Sequence, residues 1–420
     1  MKTRSWIVLL LALTVVLIAA GVALVRRPEI DAVDQKPSDD RALVQAGWEL
    51  TQLGNCANCH TAAGGQPFAG DYPLETPFGT IRSSNITPDR ETGIGTWSEA
   101  AFRRAMREGV DREGAHLYPA FPYTHFTRAS DEDIAALYAY FTTLAPVSHE
   151  VAGNGLPFPF NIRALMAGWN LLFLDKGPAP EPTSDPLDRG RYLVASVAHC
   201  GACHTPRNVL GAEKSGEELT GAEIDGWHAP ALTGPQARGW SVEEMTRYLT
   251  QGFSTQHGAA AGPMAESVIN IRRASPEDVK AMATYIASLT PDEQKPLDPI
   301  DNGRGEDSAA AQLYEAACAK CHESGRNPGP SNALSLSISP ALRDDSPTNA
   351  VRTIIGGITD YRDDGGPYMP AFEDMLDDAQ IAQVTRYLRQ RYGDGPEWQD
   401  LDSTIAKARS AGKEQDDNQD

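Results

Sequence analysis

All six cysteines of this 420-residue chain fall in one pentapeptide pattern, Cys-x-x-Cys-His, which occurs three times. The copies are Cys56-Ala-Asn-Cys59-His60, Cys200-Gly-Ala-Cys203-His204 and Cys318-Ala-Lys-Cys321-His322. Two thiols one helical turn apart can form thioethers to the two vinyl groups of one porphyrin, and the adjacent histidine then falls under the iron as its proximal ligand. A structural zinc site would pair two such units about 15–20 residues apart or add later histidines. The copies here are far more widely separated. A thioredoxin-type motif needs no histidine, and a disulfide framework belongs to short, cysteine-dense chains. The expectation is three covalent haem c groups, attached at Cys56 and Cys59, Cys200 and Cys203, and Cys318 and Cys321. Their irons are expected on His60, His204 and His322.

The motifs mark an internal repeat. A helix-like run precedes each, at 41–50, 189–195 and 309–316, and an amphipathic helix closes each unit, at 131–144, 276–289 and 378–392. Ile134, Leu137, Tyr138 and Phe141 show the 3–4 spacing of a helix buried on one side. Ser130 with Asp133, Ser275 with Pro276 and Asp278, and Asp377 with Gln380 read as helix N-termini. Strand signals are weak, so the expected fold is all-α: three tandem cytochrome c-type domains, each built around one haem. The boundaries read as a signal or anchor helix at 1–28, domain 1 at 40–150, a Pro- and Gly-rich linker at 151–186 and domain 2 at 187–290. A second linker at 291–307 leads to domain 3 at 308–393. The tail at 394–420 carries eight acidic against three basic residues and reads as solvated.

A haem that transfers electrons is usually six-coordinate, and a methionine as sixth ligand raises its potential. Gly262-Pro263-Met264 and Tyr368-Met369-Pro370 place a methionine beside a proline shortly before the second and third closing helices, so Met264 and Met369 are the expected ligands. The corresponding first loop, His116-Leu-Tyr-Pro-Ala-Phe-Pro-Tyr-Thr-His125, has Phe121 where methionine is expected. His125 is the expected ligand there, with His116 and then Met106 as alternatives and an open iron as a further one. Proline-containing loops at 76–79, 229–232 and 328–330 are candidate carbonyl acceptors for the proximal imidazoles. His199 and His228 read as polar contacts; His149 and His257 carry no signal.

Apolar residues run from Trp6 to Val25 between Lys2 and Arg4 on one side and Arg26 and Arg27 on the other. About 20 residues is the length of a bilayer span, longer than the usual core of a cleaved signal, although Gly21-Val22-Ala23 offers a cleavage site. The flanking charges nearly tie, and haem attachment orients the chain instead. The expectation is an inner-membrane anchor with the haem domains in the periplasm. The second apolar stretch, Leu165 to Leu174, is too short to span and reads as a buried or interfacial helix. A formal charge of −20 excludes a nucleic-acid partner, which requires a basic surface.

Several runs resemble the triple-haem cytochrome c subunits of bacterial membrane-bound dehydrogenases. They are Thr76-Pro-Phe-Gly-Thr-Ile81, Asn85-Ile-Thr-Pro-Asp89, Gly93-Ile-Gly-Thr-Trp97, Leu117-Tyr-Pro-Ala-Phe-Pro-Tyr123, His199-Cys-Gly-Ala-Cys-His-Thr-Pro-Arg-Asn208 and Ala261-Gly-Pro-Met264. The resemblance covers residues 40–393. It implies electron relay from a catalytic subunit (a molybdenum hydroxylase, a flavoprotein or a quinoprotein) to membrane quinone or a downstream cytochrome or oxidase. The alcohol and gluconate branches carry methionine where Phe121 stands. The phenylalanine, with a histidine four residues on, is closer to the molybdenum hydroxylase branch acting on aldehydes, nicotinate or isoquinoline. The chain lacks the dinucleotide, phosphate, serine-hydrolase and zinc-protease signatures, which points to an electron-transfer subunit rather than an enzyme. Two other readings remain: a multihaem peroxidase with an open haem in domain 1, and a carrier that stands alone or serves an oxidase.

Overall fold

Each Cys-x-x-Cys-His motif is entered from a helix and followed by a long loop that ends in a second helix packed back on the first. The computed structural model describes residues 21, 25, 27–177, 185–234, 237–254, 256–290, 298–303, 308–323, 335–359 and 367–417. The helices, with the short strands among them, are α1 (Arg41–Leu53), α2 (Cys56–His60), β1 (Pro73–Thr76), β2 (Gly79–Arg82), α3 (Glu99–Glu108), α4 (Tyr123–Phe126), α5 (Asp131–Thr142) and α6 (Leu165–Phe173). There follow α7 (Pro186–Ala195), α8 (Gly201–His204), β3 (Ala222–Ile224), β4 (Trp227–Ala229), α9 (Val242–Gln251), β5 (Phe253–Ser254), β6 (Gly258–Ala259), α10 (Pro263–Ile271) and α11 (Pro276–Ser288). The last are α12 (Ala309–Ala317), α13 (Ala319–His322), α14 (Thr348–Gly356), α15 (Asp378–Tyr392) and α16 (Leu401–Asp417). The chain divides into two compact units, residues 1–181 with 195–199, and residues 182–194 with 200–420.

The helix ends obey the capping rules read from the sequence. Ser130 Oγ accepts from the Asp133 amide at 3.0 Å, and Ser275 Oγ from Asp278 at 3.4 Å. Asp377 and Gln380 form a reciprocal capping box at the start of α15. Within each unit a glycine brings two helices into backbone contact. A Cβ placed on Gly47 of α1 would lie 1.9 Å from the Ala136 carbonyl oxygen of α5, and one on Gly190 of α7 would lie 2.0 Å from the Ala281 oxygen of α11. The repeat expected from the motifs is therefore a repeat of the same helix crossing. Around it the first unit buries Leu53, Ile134 and Phe141, and the second buries Leu193, Val279 and Met282.

Three features differ from expectation. Three two-stranded antiparallel hairpins are present, β1–β2, β3–β4 and β5–β6; strands of two to four residues are too short for alternation to register. Residues 195–199, assigned to the second domain by composition, belong to the first unit. The short helix expected at Leu165 to Leu174 within the first linker is present as α6. The acidic tail is built into the third core, with Trp398, Leu401, Ile405 and Ala408 buried beside Tyr314, Ile381 and Leu388. Its apolar stripe at 401, 405 and 408 is hidden in the sequence by the surrounding charge. Arg409 Nε reaches Asp378 at 2.6 Å and holds that helix against the start of α15.

The expected N-terminal anchor lies outside the described residues, apart from Gly21, Val25 and Arg27 onward. No helix among the described residues is long and apolar enough to cross a membrane.

The Gly190 contact is to backbone and has no side chain to swing aside. Gly190→Ala is therefore expected to cost at least the ~1–3 kcal/mol of an overpacked core, read as a lowered melting temperature with loss of haem from the second unit; Gly47→Ala is expected to do the same in the first.

Candidate functional site

The three motifs fold into the same tight turn. In the second, the Cys203 and His204 amides both turn back to the Cys200 carbonyl, at 3.3 and 3.0 Å; in the third, those of Cys321 and His322 turn back to Cys318, both at 3.1 Å. The first runs as α2, entered through Asn55 in the left-handed conformation, φ 49°. All six cysteines are free thiols. Burial, and then the neighbouring thiol of its own motif, pushes Cys56 and Cys200 up to about 12 and Cys318 up to about 11. The chain thus presents paired thiols one turn apart, three times over.

The imidazoles after the first two pairs are oriented by the backbone. His60 Nδ1 donates to the Ser84 carbonyl at 2.7 Å, and His204 Nδ1 donates to the Pro230 carbonyl at 2.7 Å. Burial lowers the pKa of both, against the raising effect of that carbonyl. A lowered pKa favours the neutral ring, and with Nδ1 held on the carbonyl Nε2 is the nitrogen turned to any further partner. Of the three candidate acceptor loops, 229–232 supplies Pro230, and 328–330 lies outside the described residues. The 76–79 loop does not serve: it is the turn of the β1–β2 hairpin, where Thr76 Oγ1 donates to the Gly79 carbonyl at 2.6 Å. His60 is served instead from just beyond β2, as His204 is served from just beyond β4. In both cases a left-handed glycine lets that strand exit approach the motif. A Cβ on Gly70 (φ 80°) would meet the Ser84 carbonyl carbon at 2.5 Å, and one on Gly221 (φ 92°) would meet the Ala231 nitrogen at 3.0 Å. The amides of these glycines close onto the His60 and His204 carbonyls, each at 2.8 Å.

Met264 sits in the first turn of α10, and Met369 exchanges two backbone hydrogen bonds with Ile358, at 2.8 and 2.9 Å. Both pack on one apolar cluster of Ala260, Ala265, Val268 and Ile358 in the second unit. In the first unit Phe121 packs against Tyr123 and Phe126, at 6.3 and 5.3 Å between ring centres. His125 is buried in α4, and its Nδ1 donates to the Ala195 carbonyl at 3.2 Å. His116 is buried on the segment bridged to Val110, and Met106 is buried within α3. His199 is a polar contact, as expected: its Nε2 lies 3.1 Å from the Gly54 carbonyl, two residues before Cys56, and its ring lies 6.5 Å from His125.

One histidine has a role the sequence did not signal, and His228 is the polar contact expected of it. His257 is buried and stacked on Trp240, 3.6 Å between ring centres at 17°. Burial, and then Arg238, lowers its pKa to about 4, and its Nε2 has no hydrogen-bond partner among the described residues. A buried polar atom left unpaired by protein marks a site that protein atoms alone do not complete. His228 Nδ1 donates to Asp344 Oδ2 at 2.7 Å, while its backbone exchanges hydrogen bonds with the Asn349 amide at 3.0 and 2.8 Å. This joins the β3–β4 hairpin, which leads to the Pro230 carbonyl, to the segment entering α14.

Residues 44–145 and 187–290 match the family described as Cytochrome c, and residues 305–388 match Cytochrome C oxidase, cbb3-type, subunit III. The gluconate 2-dehydrogenase cytochrome c subunit of Pantoea cypripedii is 38% identical over 389 residues, covering 85% of this chain and 88% of the relative. The fructose dehydrogenase cytochrome subunit of Gluconobacter japonicus is 34% identical over 440 residues, covering 96% and 89%. The chain belongs to the cytochrome c subunits of dehydrogenases. A nicotinate dehydrogenase subunit of Pseudomonas putida is 44% identical over 379 residues; the match takes in 88% of this chain but only 32% of that longer relative.

Cytochrome c domains carry an iron-containing haem c whose porphyrin is covalently bound, and this cytochrome's donor set fits the group: unbridged thiol pairs for the vinyls, and imidazoles already anchored through Nδ1 at His60 and His204. The cytochrome is an electron-transfer component rather than a catalytic subunit.

The hydrogen bond to Asp344 raises the pKa of His228 against burial. Burial raises Asp344, but His228 and the Ser346 amide outweigh it and leave its pKa lowered. The histidine's share of stability is complete below its ordinary 6.5 and is lost as pH rises through its raised value. The carboxylate's share is complete above its ordinary 3.8 and is lost as pH falls through its lowered value. Asp344→Asn is therefore expected to cost about 1–2 kcal/mol at pH 6 and clearly less at pH 9, measured by denaturant unfolding of the haem-loaded protein at the two pH values.

Proposed function

We propose that this cytochrome carries three haem c groups in three cytochrome c-type domains and relays electrons from a periplasmic dehydrogenase to membrane quinone or a downstream cytochrome. Bound haem supplies one-electron redox chemistry at iron. Cys56 and Cys59, Cys200 and Cys203, and Cys318 and Cys321 attach it, and His60, His204 and His322 orient it from the proximal side. Met264 and Met369 are the proposed sixth ligands of the second and third haems. His125, its ring held through Nδ1 on the Ala195 carbonyl, is the proposed sixth ligand of the first. A methionine sulfur holds a higher potential than a second imidazole, so the first haem is proposed as the lowest of the three. Packing of Met264 and Met369 on one cluster supports close coupling of the two higher-potential centres.

The observation that carries this reading is the repeated anchoring of a proximal imidazole on the carbonyl beyond a hairpin, 2.7 Å in both cases. The partner is proposed to be a molybdenum hydroxylase acting on nicotinate or a related aromatic N-heterocycle. Phe121 in place of methionine and the 44% identity to a nicotinate dehydrogenase subunit favour it over an alcohol or sugar enzyme. The N-terminal run Trp6–Val25 is proposed to anchor the protein in the inner membrane with the haem domains in the periplasm.

Purification from native membranes in mild detergent, with mass spectrometry of what travels with the chain, tests the partnership. A molybdenum-containing dehydrogenase is expected; recovery with oxidase subunits alone would replace this reading with an oxidase-bound carrier. Haem content by pyridine haemochrome is expected at three per chain, and two would remove a domain. His125→Ala is expected to abolish one low-spin signal by electron paramagnetic resonance, and an unchanged spectrum overturns that ligand. Met264→His is expected to lower one midpoint potential by on the order of 0.1 V, within the ~0.8 V range that axial ligands span.

A further inference from the structure

Helix α6 is turned inside out for a helix bathed in water. Its inward face carries Ala167 and Asn170. Asn170 Oδ1 accepts from the Tyr123 hydroxyl at 2.6 Å, and its Nδ2 donates to the Glu108 carbonyl at 3.2 Å. The polar side chain therefore fixes the helix to the first unit, and the leucines are left outside. Leu171 and Leu172 are 71% and 69% exposed, and Phe158, upstream on the same segment, is 78% exposed. Ile162 and Leu165 are exposed as well. From Val151 to Leu174 the only charged residue is Arg163, in a chain of net charge −20. Isolated exposed leucines need no explanation, but a contiguous apolar face marks an interaction surface.

The occupant is indicated by where the rest of the chain enters. Arg27 directly follows the N-terminal apolar run and its Arg26 flank. Its Nη2 pairs with Glu108 Oε2 at 3.1 Å, and Lys176, three residues past the end of α6, reaches the same oxygen at 3.4 Å. The Glu108 carbonyl is the acceptor for Asn170. One residue thus ties the exit of the apolar run to both the side and the end of α6. The helix is nine residues long, about 13 Å at 1.5 Å per residue, so it can lie on a bilayer and not cross one. Arg163 before it and Lys176 after it are paired with Asp111 and Glu108 but keep about half of their side chains exposed, within reach of lipid phosphates.

We propose that the outward face of α6, with Phe158 and Ile162, is seated in the headgroup-to-acyl boundary of a phospholipid bilayer, beside the point where the N-terminal run leaves the membrane. This rests on the membrane reading above and adds to it a second, peripheral contact that fixes the orientation of the first unit.

The test uses the full haem-loaded chain, whose own cysteines are consumed as thioethers, with Leu172→Cys or Val209→Cys carrying a nitroxide label. Val209 is a solvent reference, 92% exposed in the second unit. The protein is reconstituted alone into phosphatidylethanolamine–phosphatidylglycerol vesicles, and collisions with oxygen and with a water-soluble nickel chelate are read by electron paramagnetic resonance. At position 172 oxygen access is expected to rise while nickel access falls at least tenfold below that at 209. Equal nickel access at the two positions in vesicle-bound protein overturns the inference and leaves the N-terminal anchor standing. Exclusion of both reagents at 172 overturns it in favour of a protein contact, and failure to bind vesicles overturns both readings. A Leu172→Cys chain with an unchanged haem absorption spectrum establishes that the label has not disturbed the fold.

Discussion

A covalently tethered porphyrin leaves its iron ligand one degree of freedom that matters, rotation of the imidazole, and the fold is organised around removing it. The two proximal rings with described acceptors, His60 and His204, are each stopped by a single backbone carbonyl at 2.7 Å. That carbonyl reaches the motif only because the strand before it belongs to a hairpin that turns the chain back, and because Gly70 or Gly221 has no side chain to hold the strand exit away. Loop, hairpin and glycine are local. What holds them as a frame is the backbone-to-backbone crossing of the entering and closing helices at Gly47 and Gly190. The sequence of dependence therefore runs from helix crossing to loop to ring orientation to ligand basicity, and only the last step concerns the metal.

The two units use this frame alike around His60 and His204 and differ in what the loops before their closing helices carry. In the second unit two methionines meet one small apolar cluster, whereas in the first the loop before the closing helix carries packed aromatic rings and two buried histidines. A domain can be copied with its proximal machinery intact while its distal wall is rewritten, because the helix crossing and the hairpin do not depend on what faces the other side of the ring. Potential can thus vary from copy to copy without a change of scaffold.

The motifs, the closing helices and their caps were legible because each is a short-range pattern: a fixed pentapeptide, a 3–4 apolar spacing, a Ser or Asp three residues before its partner. The acceptor of His60 was not legible, since Ser84 has no chemical mark and any carbonyl would serve; only the path of the β1–β2 hairpin selects it. The hairpins themselves were too short to show a period. The tail was misread because net charge outvoted three well-placed apolar residues, Leu401, Ile405 and Ala408. His257 was invisible for the opposite reason: its role is set by one distant aromatic, Trp240, and by burial, neither of which leaves a trace in the residues beside it.

The short stretch 195–199 has a consequence for how such a protein is made. It lies after the linker in sequence but is part of the first unit, supplying the Ala195 carbonyl to His125 and the His199 ring to the Gly54 carbonyl. A chain delivered from its N-terminus therefore cannot complete its first unit when the linker emerges; it must wait until the residue immediately before Cys200 has arrived. Completion of the first unit and availability of the second attachment site become nearly simultaneous events in biogenesis. By the same assignment, a cut between 177 and 185 would leave the closing strap of the first unit on the second piece of the chain.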